Sequence, residues 1–429
     1  MKLILVDVSE KRANFYPLAL SRPIWELRVA MSSLGSKLVA RTGAAEVACF
    51  VPPYMAASYK AKTEWKVNDT SVLKGDDLLL LNPTIKAAGL KVPTGGNEVA
   101  VNKDGDVMYV RVAKSAGLPT DSIESFVKAA CEKFPKVTVD LPTWNYTWEL
   151  VLQNPEELRH EFAAAGKSGI EGTVEQPNAI RGDKKSIFIG KGALVHPMVV
   201  LDAANGPIFI DEGVEIHPFT RVEGPCYIGR KSILLGAKCR EGMSIGPMCR
   251  VGGEVEESII HGYSNKYHDG FLGHAYVGEW VNLGALTTNS DLKNDYSNVK
   301  VMLDGKREID TASTKVGSLI GDHTKTSIGT LFNTGSVVGA MCLIMATGKP
   351  LPKFLPSFAW FLEGVVTKGF GKGQLYKTAS IAMGRRKDIR TGKPCAWTEA
   401  EQAMWDAIFE LTAGPRDEAV KKGRRAMVR

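Results

Sequence analysis

From Ile187 to Ile344, aliphatic residues return every six positions, often followed by Gly or Asp. Ile189-Gly190, Val195-His196 and Leu201-Asp202 form one run, and Ile210-Asp211, Ile216-His217, Val222-Glu223 and Ile228-Gly229 another. Ile245, Val251, Val277 and Leu283 continue it, and Ile320, Thr326, Phe332 and Val338 close it. Four residues after each aliphatic stands a small or β-branched side chain, as at Ala193, Val199, Val214, Thr220, Cys226, Ser232, Cys249, Val281, Thr324 and Cys342. This double register predicts a parallel β-helix: each hexad is a short strand plus a corner, with the large side chain inside and the small one at the bend. One coil cannot bury its own apolar face, so the coils must stack. The alternative, a β-sandwich with Gly-rich turns, has no reason to keep two registers over so many turns.

Upstream the pattern is α/β. Lys2–Val6, residues 45–51 and residues 77–81 read as strands, the last with four consecutive leucines, as in a strand covered on both faces. Residues 106–112 read as an exposed antiparallel strand or hairpin arm after the Asp104-Gly105 turn. A helix is expected over 121–134, opened by Asp121 or Ser122 and stopped by Pro135. Asn154-Pro155-Glu156-Glu157 opens another, with Asn154 as its cap. The Pro/aromatic segment from Gly348 to Trp360 cannot form a helix. A helix near 375–387 follows, then one opened by the Thr398-Glu399-Ala400-Glu401 capping box and stopped at Gly414-Pro415. The last fifteen residues read as frayed. The expected divisions are an α/β domain over 1–150, a helical linker over 151–183, a β-helix over 184–346, and a Pro/aromatic segment with a basic helical tail over 347–429.

The length of 429 residues fits two or three domains. Seven Cys without a CxxC spacing point to a reducing, cytoplasmic setting. The opening residues are too short an apolar run for a signal peptide, and no run approaches a membrane span. The net charge of +7 sits in the tail, where residues 365–429 hold 14 Lys and Arg against 7 Asp and Glu. Such a tail either meets a phosphate-rich ligand or is a solvated face; the second reading is preferred, and no nucleic-acid partner is expected.

Candidate chemistry lies in three places. The loop after the first strand carries Arg12, Arg22 and Arg28, whose forked guanidiniums suit phosphate oxygens. The alternative is that Arg22 and Arg28 pair with Glu10 or Glu26. Within the hexads, the pattern breaks over 256–271 and over 289–316, and loops that interrupt a rigid repeat are natural sites. The first break holds His261, Lys266 and His268, an imidazole suited to general-base work. The second, polar break is expected to wrap a neighbouring subunit. No His, Cys and carboxylate set has zinc spacing, so no metal ligands are predicted.

Tyr16-Pro17-Leu18-Ala19-Leu20-Ser21-Arg22-Pro23 resembles the segment after the glycine-rich loop of sugar-1-phosphate nucleotidyltransferases. The chain is most similar to a divergent bacterial branch of that family, resembling the bifunctional enzymes that make UDP-N-acetylglucosamine. The resemblance implies a Rossmann-like nucleotidyltransferase domain joined to a left-handed parallel β-helix that is an acyltransferase and a homotrimer. His268-Asp269-Gly270-Phe271-Leu272-Gly273, then Asn282 and Ala285, are similar to its acetyltransferase coils. The implied roles are general base for His268, a sugar contact for Asn282, a coenzyme contact for Ala285, and sugar-phosphate contacts for Lys266 and Lys300. Phe271 stands where the family has Tyr. Acetyl-CoA is the implied acyl donor, and a sugar phosphate and an NTP or nucleotide sugar the other ligands. The nucleotidyltransferase pattern departs from the family: residues 8–14 hold no glycine, Ile24 replaces a Lys, and Leu80-Leu81-Asn82-Pro83 lacks the carboxylate that would hold Mg²⁺. Three readings follow: an N-acetyltransferase of an amino-sugar phosphate, a nucleotidyltransferase on a trimerisation stalk, or a trimer that binds a nucleotide sugar without turnover.

Overall fold

The computed structural model describes residues 1–427, with the Glu10 side chain outside the description. Its N-terminal part is a seven-stranded sheet. In chain order the strands are β1 (Lys2–Val6), β2 (Glu46–Phe50), β3 (Lys66–Val67), β4 (Leu78–Leu81), β5 (Glu98–Val101), β6 (Val107–Val112) and β7 (Lys136–Thr138). The sheet order is β3-β2-β1-β4-β6-β5-β7. β3, β2, β1 and β4 run parallel, and β6 is antiparallel to both of its neighbours. All four leucines of β4 are buried, as a strand covered on both faces requires. β6 is the expected antiparallel hairpin arm, but it is buried from Met108 to Val112 rather than exposed. Helix α1 (Leu34–Thr42) ends on Gly43 at positive φ, and helix α2 (Ala56–Lys60) is a single short turn. Helix α3 (Ile123–Lys133) is capped by Ser122, whose Oγ accepts from Ser125 N at 3.0 Å.

The second part is a parallel β-helix, as the hexad pattern predicts. Its first face is a ten-stranded sheet from Gly169–Ile170 to Phe354–Leu355, each strand hydrogen-bonded to the next coil's. The coils therefore begin before residue 184 and end after 346, since Trp360–Leu362 still pairs with Leu343–Ile344. Both sequence registers point inward: Ile189, Val195, Ile216, Ile245 and Val338 are all fully buried, as are Ala193, Thr220, Ser232, Cys249 and Thr324. The small hydroxyls close the corners. Ser232 Oγ donates to Gly246 O at 2.8 Å and accepts from Cys249 N at 3.0 Å, and Ser264 and Thr324 repeat the arrangement.

Residues 256–271 do not leave the prism. Ile259 pairs with Ser244, Asn265 with Arg250 and Phe271 with Glu254, so this stretch is an ordinary coil. The second break is an excursion: Tyr276 pairs directly with Leu319, and the chain between includes an antiparallel hairpin of Lys300–Val301 with Ile309–Asp310. It folds back on its own chain, where Val299 and Val301 pack with Trp144, Trp148 and Phe15.

The two parts share a core. On the first face Ile260, Ile320 and Val338 point into the prism, while Ile259, Tyr276, Leu319 and Val337 point out against the N-terminal part. Helices α4 (Thr147–Leu152) and α5 (Asn154–Ala165) lie in this seam. Asn154 is not the cap of α5 but its first residue, fully buried: its amide oxygen accepts from Ala30 N and Ser244 Oγ, and its nitrogen donates to Gly242 O. Helices α6 (Gly371–Gly384) and α7 (Glu399–Leu411) strap the sheet to the prism corner, with Trp405 and Ile408 packed among Trp25, Tyr59 and Phe358. The last helix, α8 (Ala413–Met427), buries Val420 and Gly423 against Val366 rather than fraying; residues 428 and 429 lie outside the description. No described helix is long and apolar enough to cross a membrane.

Candidate active site

A cavity of about 510 Å³ opens at the carboxyl ends of β1 and β4, lined by Asp7, Lys11, Asn82, Asp104, Asp106 and Trp144 among others. The three arginines expected to face phosphate here are otherwise engaged. Arg12 is buried; one Nη binds Asp7 and the other donates to the carbonyls of Ala19 and Arg22. Burial pushes the Asp7 carboxyl up, against the pull of Arg12 and of Ile24 N, which donates to it at 2.8 Å. Arg22 is buried on the far side, where it crosses the seam to Asp322 and Glu279. Arg28 lies over the Tyr227 ring at 5.8 Å and donates to Met31 O. These placements correct the phosphate-binding expectation: each guanidinium holds the fold together.

The residues at the carboxyl ends of β1 and β4 offer no free carboxylate to a nucleotidyl-transfer Mg²⁺, although Asp104 and Glu124 in the opposite wall have no Lys or Arg within 4.0 Å among the described residues. Asn82 stands where a carboxylate is needed and uses its oxygen on Thr84 N and Oγ1. Asp7 is neutralised by Arg12, and Asp106 by Lys11. Asp104, read from sequence only as part of a turn, and Asp106, read as the start of a strand, supply carboxylates to the wall.

A second cavity, about 310 Å³, lies on the second β-helix face where it turns into the third. It is lined by Arg250, Asn265, Tyr267, His268, Asn282, Leu283, Gly284, Ala285 and Ile328. Three residues singled out from the sequence, His268, Asn282 and Ala285, thus meet in one place. His268 sits exposed at the corner with its ring edge-on to Tyr267, centroids 5.9 Å apart. Asn282 Oδ1 accepts from Asn265 Nδ2 at 3.1 Å, one coil earlier.

Lys266 is not part of this wall. It pairs with Val251 in the inward register, and its stem fills the prism interior. Its Nζ donates to Gly252 O at 2.9 Å and to His268 O at 2.6 Å. Gly253, at φ +67°, leaves the room, since a Cβ there would meet that Nζ at 2.8 Å. Burial pulls the ammonium down to about 8, partly opposed by Asp269. Lys266 therefore fixes the backbone of His268 and is unavailable to a phosphate. Phe271 lays its ring against Gly273, outside the cavity, and Lys300 is on the hairpin, 3.3 Å from Glu308. Both are corrected as wall residues of this cavity within the chain.

The cations that do border the cavity were missed. Arg250 is in the wall with no carboxylate within 4.0 Å among the described residues. Arg386, just past α6, donates to Asn265 Oδ1 at 3.1 Å and likewise has no acidic partner there. Burial and the nearby Arg250 charge lower its pKa. Ile389 N donates to Tyr263 OH at 2.8 Å, which pins the basic segment to this coil.

Parts of the chain are similar to known proteins. Residues 3–168 match the model of a family described as sugar nucleotidyl transferase. The chain is 34% identical over 150 residues to a bifunctional sugar-1-phosphate nucleotidylyltransferase/acetyltransferase of Sulfurisphaera tokodaii, covering 32% of this chain and 35% of the relative. It is 29% identical over 185 residues to the bifunctional protein GlmU of Jannaschia sp., covering 42% and 37%. The chain thus spans about a third of the length of these curated relatives. Among solved structures, a UDP-N-acetylglucosamine acyltransferase overlaps 58% of this chain and 90% of its own at 12% identity, with a TM-score of 0.27. Residues 3–168 are thus similar to sugar nucleotidyl transferases, and stretches of the chain are similar to parts of bifunctional nucleotidylyltransferase/acetyltransferases.

Proposed function

We propose that this protein is an acyl-CoA-dependent N-acyltransferase acting on an amino-sugar phosphate in nucleotide-sugar synthesis, in the cytoplasm and as a homotrimer. The observation that carries this reading is the convergence of His268, Asn282 and Ala285 on one cavity. The His268 imidazole removes a proton as the sugar amine attacks the thioester carbonyl. The new C–N bond forms, the C–S bond breaks, and the proton passes to the departing thiolate. A positioned base of this kind is worth roughly 10²- to 10⁴-fold in rate. Asn282 orients the amine, and the Ala285 backbone abuts the acyl donor. Arg250 and Arg386 meet the substrate's phosphoryl charge, the role that Lys266 and Lys300 do not fill. Thiol release measured on His268→Ala tests the assignment. A loss of at least 100-fold with an unchanged melting temperature is expected, and full activity overturns it.

A second reading concerns the 510 Å³ cavity at the carboxyl ends of β1 and β4. Its size and position support binding of a nucleotide sugar without transfer of the nucleotidyl group. Calorimetry with UDP-N-acetylglucosamine tests it; no binding heat sinks it.

A further inference from the structure

Four side chains on three successive coils meet on the outer surface of the second face. Val174 pairs with Val195 and Val195 with Ile216, which aligns Glu175, His196 and His217 in one file, with Glu215 beside them on His217's own strand. His196 Nε2 is 3.0 Å from Glu215 Oε1, and His217 Nε2 is 3.5 Å from the same oxygen. The two imidazoles stack with centroids 5.0 Å apart and planes 22° off parallel. On its other side His196 Nδ1 is 3.2 Å from Glu175 Oε2.

We propose that His196 Nε2, His217 Nε2 and Glu215 bind one late first-row divalent ion, of which Zn²⁺ is the type, with Glu175 holding His196 in the ligating tautomer. The chemistry of the donor set supports this. Two neutral imidazole nitrogens and one carboxylate oxygen are the ligands such an ion takes when water completes a tetrahedron. A carboxylate that accepts the far N–H of a ligating histidine is the usual orienting partner, and Glu175 stands in that place. Charge points the same way. Among the described residues, Glu175 and Glu215 have no Lys or Arg within 4.0 Å, and their only basic partners are these imidazoles.

Rigidity completes the case. His196 N donates to Ile216 O and His217 N to Leu234 O, both at 2.9 Å, while Val195 and Ile216 beneath them are fully buried. The donor atoms lie within 4.8 Å of one another on strands whose register the core fixes. Small side-chain rotations draw them onto an ion at about 2.0–2.2 Å. The spacing was invisible in the sequence because the ligands come from neighbouring coils rather than from one short motif.

The test uses the full-length protein stripped with a chelator and titrated with Zn²⁺ against a chromophoric competitor, alongside thermal melts. One Zn²⁺ per chain is expected, with a melting temperature that rises with Zn²⁺ concentration. The His196→Ala/His217→Ala double variant should lose both effects while melting like the metal-free wild type, since these rings lie outside the core. Glu175→Gln should weaken binding about 10- to 100-fold. If the double variant is unstable, Glu215→Gln replaces it and should lose the stoichiometric ion. Absence of saturable binding, or binding that survives in the variant lacking its ligands, overturns the proposal.

Discussion

The two cavities differ in their charged lining and in how those residues are engaged. At the carboxyl ends of β1 and β4, Arg12 neutralises Asp7, Lys11 neutralises Asp106 and Asn82 bonds its own turn. On the β-helix, Arg250 and Arg386 have no carboxylate partner among the described residues, and His268 is exposed at a corner. A charged group that is already paired inside the protein has little left for a ligand, whereas an unpaired one beside a cavity does. The proposed acyl transfer on the prism rests on this contrast.

The comparison breaks most visibly at the seam. Arg22→Ala leaves Asp322 buried without its partner and should destabilise the protein by about 3–5 kcal/mol in urea melts. A loss below about 1 kcal/mol would mean that the two parts are not coupled through this pair. The next effect is a pH dependence. Burial alone would lower the His274 imidazole, but hydrogen bonds to Asp291 and Glu257 outweigh it and hold it up from 6.5 to about 9. A raised folded value gives stability that is complete below pH 6.5 and lost as pH rises through about 9. The stability difference between wild type and His274→Gln should therefore shrink by about 3 kcal/mol between pH 6.5 and 9.5; a difference independent of pH would refute the pairing.

Smaller effects sharpen the contrast within the β-helix site. Arg250→Ala and Arg386→Ala should each raise KM for the phosphorylated sugar about tenfold, or about 1.4 kcal/mol, with kcat little changed. Dephosphorylated substrate should not register either change. Lys266→Met keeps the buried stem and removes the two hydrogen bonds that seat His268. A several-fold fall in kcat with unchanged KM marks a positioning role, and an unaltered kcat rules it out.

The prism was legible because its two registers are enforced by a core that admits one side-chain size at each place. The count in fact runs on through the supposed first break, as Ile260, Lys266 and Leu272, with a lysine in an aliphatic slot. Reading Lys266 as a ligand followed from its charge; its register position pointed inward. His268, Asn282 and Ala285 could be found together because consecutive coils place them side by side. Arg386, the folded-back hairpin and the His196–His217 pair depend on contacts between distant segments, which local pattern does not encode. Arg22 was misplaced for the same reason, since its partner Asp322 is 300 residues away, whereas Arg12 pairs with nearby Asp7 only because both are buried together.

The most direct test of where the chemistry lies is to supply the protein with acetyl-CoA, glucosamine 1-phosphate, UTP and Mg²⁺ and to follow thiol and pyrophosphate release separately. Thiol release that requires the sugar phosphate, without pyrophosphate, is the predicted result. Pyrophosphate release with no thiol would place the activity in the α/β part and contradict the account.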